Sequence, residues 1–292
     1  MTRISARDLA FLILICVIWG FNLIAINVGL KVFPPVFFAF LRFAVLASVL
    51  APLLHLHRRQ MGALIVAAVL SGGLNFGLLF YGMSLTDNVA AVAIASQLGL
   101  PFTTLLSVAL LGEVVHWRRW LGVALSFAGV MLMGFDPGVF TQGAALLWVS
   151  ASAFVGALGL IAIKRVTGIR PVELQAWFAM ASWPVLLVMT LMLETRQIGA
   201  IQSAGALAWM SVAYVALLSS LVGHTGYYYL IQRYPVSSVA PVTVLSPLFS
   251  VMFSVTLLRT PLTPRLIAGG TVTLLGVLII AAREKKIVDT GS

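Results

Sequence analysis

Polar and aromatic side chains are scattered through long apolar stretches of this 292-residue chain. Amides and hydroxyls can hold an ammonium group and a carboxylate, while indole and phenol rings can stack on an apolar side chain and attract a cation. The set therefore favours noncovalent binding of a zwitterion with an apolar side chain. We predict these contact residues: Trp19, Asn22, Asn75, Tyr81, Gln97, Trp148, Trp177, His224, Tyr228 and Ser246.

Residues suited to covalent or metal chemistry do not form a reacting pattern. His55, His57 and His116 fall in predicted loops, and the one cysteine, Cys16, lies within an apolar stretch. The sequence contains no Gly-rich phosphate loop, no His-Glu-x-x-His pair and no paired carboxylates. We therefore expect no enzyme, no cofactor and no bound metal.

The apolar stretches that carry these side chains are long enough to cross a lipid bilayer. A spanning helix needs about 20 mostly apolar residues, and lipid offers the backbone no hydrogen-bond partner. The chain is 61% hydrophobic and 9% charged, with a mean hydropathy of +1.08. We predict an all-α integral membrane protein with ten spans: 8–30, 35–54, 61–83, 88–111, 118–135, 142–163, 171–193, 205–230, 236–258 and 264–282. In such a protein, Tyr81 and Trp177 could equally anchor the chain at a membrane interface.

Lys and Arg are distributed unevenly between the predicted loops. With both termini in the cytoplasm, 13 of the 18 fall on the cytoplasmic side, and Arg42 lies within span 2. Short loops rich in these residues stay cytoplasmic, so we predict that both termini lie in the cytoplasm. The formal charge of +10 then reflects membrane topology and gives no reason to expect nucleic acid. The four on the outer side are Lys31, Arg196, Arg259 and Arg265.

Part of the chain recurs at a shift of 147 residues. Arg118 then matches Arg265, and the pair Gly122 and Gly129 matches Gly269 and Gly276. The alternative is a chance match of common apolar residues. Because five spans per half is an odd number, the second copy would be inverted, as in many secondary transporters. We predict two inverted five-helix repeats, 1–135 and 136–292, around a central cavity.

Two prolines and one arginine are candidates for a gating role. Pro101 and Pro247 lie near the middles of spans 4 and 9, where proline interrupts helical hydrogen bonding. Paired interruptions of this kind point to a central site. Arg42 lies about 10 Å from the outer end of span 2. Its side chain could extend outward to water, anchor an outer gate or attract a substrate carboxylate.

Several short motifs occur in order along the chain: Trp19-Gly20, Pro35 seven residues before Arg42, Pro101, Leu111-Gly112-Glu113, and Gly122 with Gly129. This pattern resembles the EamA-type branch of the drug/metabolite transporter superfamily, including its amino-acid exporters of the YddG type, and covers the whole chain. The resemblance implies a bacterial inner-membrane protein with ten helices in an inverted repeat, which exports aromatic and other neutral amino acids. The second half departs from the pattern where Thr260 stands opposite Glu113.

The acidic residues restrict the mechanism. Every Asp and Glu falls in a loop, a tail or a span end, so we expect no carboxylate proton relay. We predict downhill export by alternating access without obligatory ion coupling; the alternative is proton-coupled antiport through His224. An exporter of another metabolite or drug, such as a nucleotide sugar or sugar phosphate, is a second alternative, although phosphate favours more than one central cation. A channel or scaffold is a third. We expect a small-molecule substrate and a monomer, with an oligomer left open.

Overall fold

The computed structural model describes residues 4–112, 114–115, 117–134, 143–163, 166, 168–234, 239 and 242–282. Within these ranges every regular element is a helix, and a short helix, Gln197–Ser203, lies between the seventh and eighth long ones. The ten long helices are α1 Ala6–Leu30, α2 Pro35–Leu50, α3 Met61–Ser84, α4 Val89–Leu111, α5 Trp117–Gly134, α6 Gly143–Ile163, α7 Pro171–Leu193, α8 206–233, α9 Leu245–Leu258 and α10 Pro264–Ala282.

These helices coincide with the predicted spans. Among the described residues, seven helices are long and apolar enough to cross a membrane, and α9 and α10 add two shorter apolar ones. The first turn of α5 carries Arg118 and Arg119, which lower the mean hydropathy of this helix. The prediction of an all-α membrane protein is therefore confirmed. The predicted ninth span starts at 236, whereas α9 begins at Leu245; most of the residues between lie outside the described ranges.

Local sequence explains where several helices begin and end. Helices α2 and α7 begin with proline. Proline lacks an N–H group, but at the first helical position that group would make no hydrogen bond within the helix. Helices α4 and α9 end in left-handed residues, Gly112 with φ 66° and Arg259 with φ 55°. These two residues are 147 positions apart, so the two helices end in the same way at related positions.

Helices α5 and α10 cross at residues related by the 147-residue shift. Thr273 Oγ1 donates to the carbonyl oxygen of its counterpart Ser126 at 3.5 Å. On either side, the backbone of Gly122 lies against Gly276 and that of Gly129 against Gly269. Each glycine of α5 therefore contacts the counterpart of the other one. This pairing requires the two helices to run antiparallel. A local two-fold axis between Ser126 and Thr273 describes this crossing.

Three helices depart from regular α-helical geometry. Helix α3 is π-helical over Val69–Leu74, and α8 is π-helical over Tyr214–His224. The shift of 147 residues maps the first segment onto positions within the second. Such segments are rare and often occur at functional sites. Helix α4 tightens into a 3₁₀ turn at Ser96–Leu98, just before Pro101. Pro247 is the third residue of α9, and residues 242 and 243 shortly before it are also helical. Its place near the middle of the ninth span stays a prediction.

Aromatic side chains fill one end of the molecule, which we name the Glu194 end. Phe38 stacks on Phe33 with ring centroids 5.9 Å apart and contacts Phe80 at 5.3 Å, and all three rings are buried. The Glu194 carboxylate accepts hydrogen bonds from Val36 N and Phe37 N at 2.7 and 2.8 Å. It therefore caps the start of α2 from the end of α7. The opposite end, where α6 finishes and α7 begins, we name the Arg170 end.

Candidate functional site

Two adjoining cavities occupy the middle of the helix bundle. The large cavity has a volume of about 360 Å³ and the small cavity about 210 Å³. Both are lined by Arg42, Phe76, Ser96 and His224. The lining of the large cavity extends to Ile163, the last residue of α6, at the Arg170 end. The lined space therefore reaches toward that end, while aromatic side chains fill the Glu194 end.

The irregular segments of the fold supply much of this lining. The π-helical part of α3 brings Ser71 and Gly72 to the large cavity, with Asn75 and Phe76 following directly. Gly159 of α6 lies against Ser71, and Gly72 lies against Ser182 of α7. These close approaches leave no room for a Cβ atom, so small residues set the position of α3 beside the cavity.

The structure brings together seven of the ten predicted contact residues at these cavities. Asn75 and Tyr228 line the large cavity, and His224 lines both. Of the residues predicted for gating, Arg42 and Pro247 also line a cavity, whereas Pro101 is buried outside the lining. The predicted residues that line the small cavity are Trp19, Asn22, Gln97, His224 and Ser246.

Tyr81 and Trp148 lie away from both cavities. Their rings contact each other edge to face, with centroids 5.2 Å apart, and the residues are 40% and 38% exposed. Six positions along a helix turn the side chain of Tyr81 by about 240° from that of Asn75, so the two face different neighbours. Exposed aromatic pairs near helix ends are typical of a membrane interface.

Trp177 also lies outside the cavity lining. Trp177 is two positions after Gln175, which lines the large cavity. Its side chain therefore points about 200° around α7 from that of Gln175. Its Nε1 donates to the carbonyl oxygen of His55 at 3.0 Å. Nearby, His57 Nε2 contacts the buried Glu173 carboxylate at 2.5 Å. Trp177 thus helps hold the 54–60 connection against α7.

Arg42 is the charged residue of the cavity lining, and it is only 1% exposed. Its Nε donates to Ser220 Oγ at 2.9 Å, and its Cζ lies 3.8 Å from the ring centroid of Phe76. Among the described residues, no carboxylate lies within ion-pair distance of it. A buried guanidinium without a counter-ion is costly, and the ring of Phe76 offsets part of that cost by a cation–π contact.

His224 and Trp19 are positioned by the π-helical turn of α8. The Ser219 carbonyl oxygen accepts hydrogen bonds from Trp19 Nε1 at 3.3 Å and from His224 Nδ1 at 2.9 Å. Because a carbonyl can only accept, Nδ1 carries the proton and Nε2 of the neutral ring is an acceptor. The rings of Trp19 and His224 lie 5.2 Å apart. The site therefore presents a fixed cation beside a neutral acceptor and an indole.

Several lining residues were missing from the predicted set. Phe76 carries the ring over Arg42, and Ser71 and Ser219 belong to the π-helical segments. The sequence signals were weak: Phe76 is one of 17 phenylalanines, and small hydroxyl residues are common in spans. Gln175 and Ser152 carry polar groups into two apolar helices, which is a sequence signal for such a site, and both line the large cavity.

Both the sequence and the fold match those of known proteins. The model of the EamA-like transporter family matches residues 8–135 and again 143–282. The chain belongs to the EamA-like transporter family. A crystal structure with 16% sequence identity superposes with a TM-score of 0.62, covering 94% of this chain and 98% of the other, and so shares the fold.

Three relatives are distant in sequence but match most of the chain. A protein of Escherichia coli K12 named "Probable amino-acid metabolite efflux pump" is 26% identical over 99% of this chain and 100% of its own length. The "Uncharacterized inner membrane transporter YedA" of the same organism is 25% identical over 74% of this chain and 72% of its own. An "Uncharacterized transporter" of Archaeoglobus fulgidus is 26% identical over 91% of this chain and 95% of its own length. Family and relatives indicate a membrane transporter.

Proposed function

We propose that this transporter exports amino acids, aromatic and other neutral ones, across a bacterial inner membrane by alternating access. The observation that carries the proposal is the chemistry of the cavities: one cation, neutral polar groups and aromatic rings, without an acidic residue among the described lining. Such a lining suits a zwitterion with an uncharged side chain. The printed name of the E. coli relative, an amino-acid metabolite efflux pump, supports the same substrate class.

In alternating access, two halves of the protein move against each other and open the site to one side of the membrane at a time. We propose that these halves are residues 1–135 and 136–292. Three observations support this division. The family model matches the chain twice, and α5 and α10 cross about a local two-fold axis at Ser126 and Thr273. The π-helical segments in α3 and α8 occupy related positions of the two halves. Inverted repeats place the substrate site at their interface, near the membrane midplane.

The proposed direction of transport follows from the two ends of the bundle. The lined space reaches toward the Arg170 end, and we propose that this end is cytoplasmic because the predicted loops there are rich in Lys and Arg. Substrate would enter from that side. Release would require α2 and α7 to separate at the Glu194 end, where the Glu194 carboxylate now joins them.

We propose that export runs downhill without obligatory ion coupling, since the described cavity lining holds no carboxylate to serve as a proton relay. Among the described cavity residues, the imidazole of His224 is the group that could serve, and it lines both cavities. Proton-coupled antiport through His224 is therefore the second candidate. A sugar phosphate is disfavoured because the described lining offers one cation, whereas phosphate binding favours several.

Flux in proteoliposomes of the purified chain tests this function. Labelled phenylalanine, methionine and threonine would be followed with and without a proton gradient and with a sugar phosphate as competitor. Saturable amino-acid flux that ignores the gradient and the competitor is expected. Flux driven by the gradient would favour antiport through His224, and sugar-phosphate exchange without amino-acid flux would overturn the proposed substrate class.

A further inference from the structure

Three buried polar atoms around the small cavity have no hydrogen-bond partner among the described residues. They are Arg42 Nη1, Asn22 Oδ1 and Ser219 Oγ. The three residues are 1%, 9% and 1% exposed, and all of them line the small cavity. Buried polar groups are nearly always paired in native proteins, so three exceptions around one space call for an explanation. A ligand that supplies the missing partners is the simplest one.

The unpartnered atoms define the chemistry of that ligand. A guanidinium can only donate and carries a positive charge, so the partner that best matches Arg42 is an anion with planar acceptor oxygens. The amide oxygen of Asn22 can only accept, and His224 Nε2 is also an acceptor because Nδ1 donates to Ser219. A ligand that matches these atoms has a negatively charged acceptor group and, close to it, a hydrogen-bond donor.

We propose that the small cavity is a headgroup subsite for a free α-amino acid, with the carboxylate on Arg42 and the ammonium group on the oxygens of Asn22 and Ser219. This assignment rests on the proposed function and names the part of the substrate that the transporter requires. A carboxylate and an ammonium on one carbon match a cation and acceptors that line one space of about 210 Å³.

The large cavity then receives the amino-acid side chain. Its described lining combines the apolar groups of Phe43, Leu79, Leu160 and Phe178 with a few neutral polar ones. Apart from Arg42, which the headgroup occupies, it offers no charged side chain to pair with an acidic or basic substrate. The transporter should thus require both headgroup charges while accepting neutral side chains of different sizes.

Three ligands with the same phenyl ring separate the headgroup charges. Phenylalanine has both, phenethylamine lacks the carboxylate, and 3-phenylpropionate lacks the ammonium group. Competition against labelled phenylalanine on the purified chain gives the three affinities. We expect phenylalanine to bind at least about tenfold more tightly than either partial ligand, since a charge-assisted hydrogen bond is lost in each case. Equal affinities for the three ligands would overturn the headgroup assignment.

Substitutions assign each charge to its residue. Arg42→Gln should weaken phenylalanine at least about tenfold and leave phenethylamine unchanged, while Asn22→Leu should weaken phenylalanine and leave 3-phenylpropionate unchanged. Arg42→Lys keeps the charge and should retain part of the preference, and Tyr81→Phe, outside the cavities, is the matched control. A purely structural role would weaken all three ligands together, and that result would contradict the assignment.

The same panel separates the two proposals. If wild-type protein neither binds nor transports any amino acid, the proposed function fails and the headgroup assignment fails with it. If phenylalanine is transported but Arg42→Lys and Asn22→Leu leave the affinity ratios unchanged, only the headgroup assignment fails. Should Arg42→Gln not fold, those two milder variants still decide the outcome.

Discussion

At the residue scale, the position of Arg42 depends on contacts with groups distant in sequence. Ser220 Oγ accepts from the guanidinium and itself donates to the Val215 carbonyl oxygen at 2.7 Å, a five-residue spacing that belongs to the π-helix. Phe76, from α3, covers the guanidinium at 3.8 Å. The cation is thus held between α3 and α8, the two helices with π-helical segments, and its orientation depends on both.

Side chains inside and outside the cavities should respond differently to truncation. His224→Ala removes an imidazole that lines both cavities and contacts Trp19, so amino-acid flux should fall by about tenfold or more. Tyr81→Ala and Trp177→Ala alter side chains outside the lining and should keep most of the flux, measured at equal amounts of inserted protein. Loss of flux in the Tyr81 variant with normal flux in the His224 variant would show that the cavities are not the transport site.

At the element scale, close helix crossings determine the geometry of the bundle. A Cβ atom at Gly129 would come within 2.5 Å of the Gly269 carbonyl oxygen, whereas one at Gly62 would meet nothing within 4 Å. Overpacking at such a backbone contact costs about 1–3 kcal/mol. Gly129→Ala should therefore lower the thermal unfolding midpoint in detergent, and Gly62→Ala, the matched control in α3, should not. Equal midpoints for the two variants would contradict the α5–α10 crossing.

The junction between α2 and α7 at the Glu194 end makes a second prediction at this scale. Glu194 accepts from two backbone N–H groups at the start of α2 and also from Thr190 Oγ1 at 2.7 Å. Glu194→Ala leaves those N–H groups without an acceptor and should cost about 1–2 kcal/mol, seen as a lower unfolding midpoint. Glu194→Gln retains one acceptor oxygen and should lie between the alanine variant and wild type. An unchanged midpoint for both variants would show that the cap contributes nothing.

At the scale of the whole molecule, membrane orientation is open to a direct test. In a Cys16→Ala background, single cysteines at the exposed positions Arg59 and Gly199 report opposite sides of the bilayer. With both termini cytoplasmic, a membrane-impermeant maleimide added to intact cells should label Gly199→Cys and leave Arg59→Cys unlabelled until the cells are opened. The reverse pattern would invert the proposed direction of entry, because the large cavity would then reach toward the outside.

The sequence by itself determined the membrane class, the ten helical segments and the polar side chains most worth testing. These follow from a local property, since each span needs about 20 mostly apolar residues. The tertiary structure decided which side chains share a cavity. Tyr81 and Trp148 contact each other outside it, while Phe76 covers Arg42 within it. The direction in which a residue faces depends on helix rotation, which the π-helical segments of α3 and α8 change and which packing between distant helices determines.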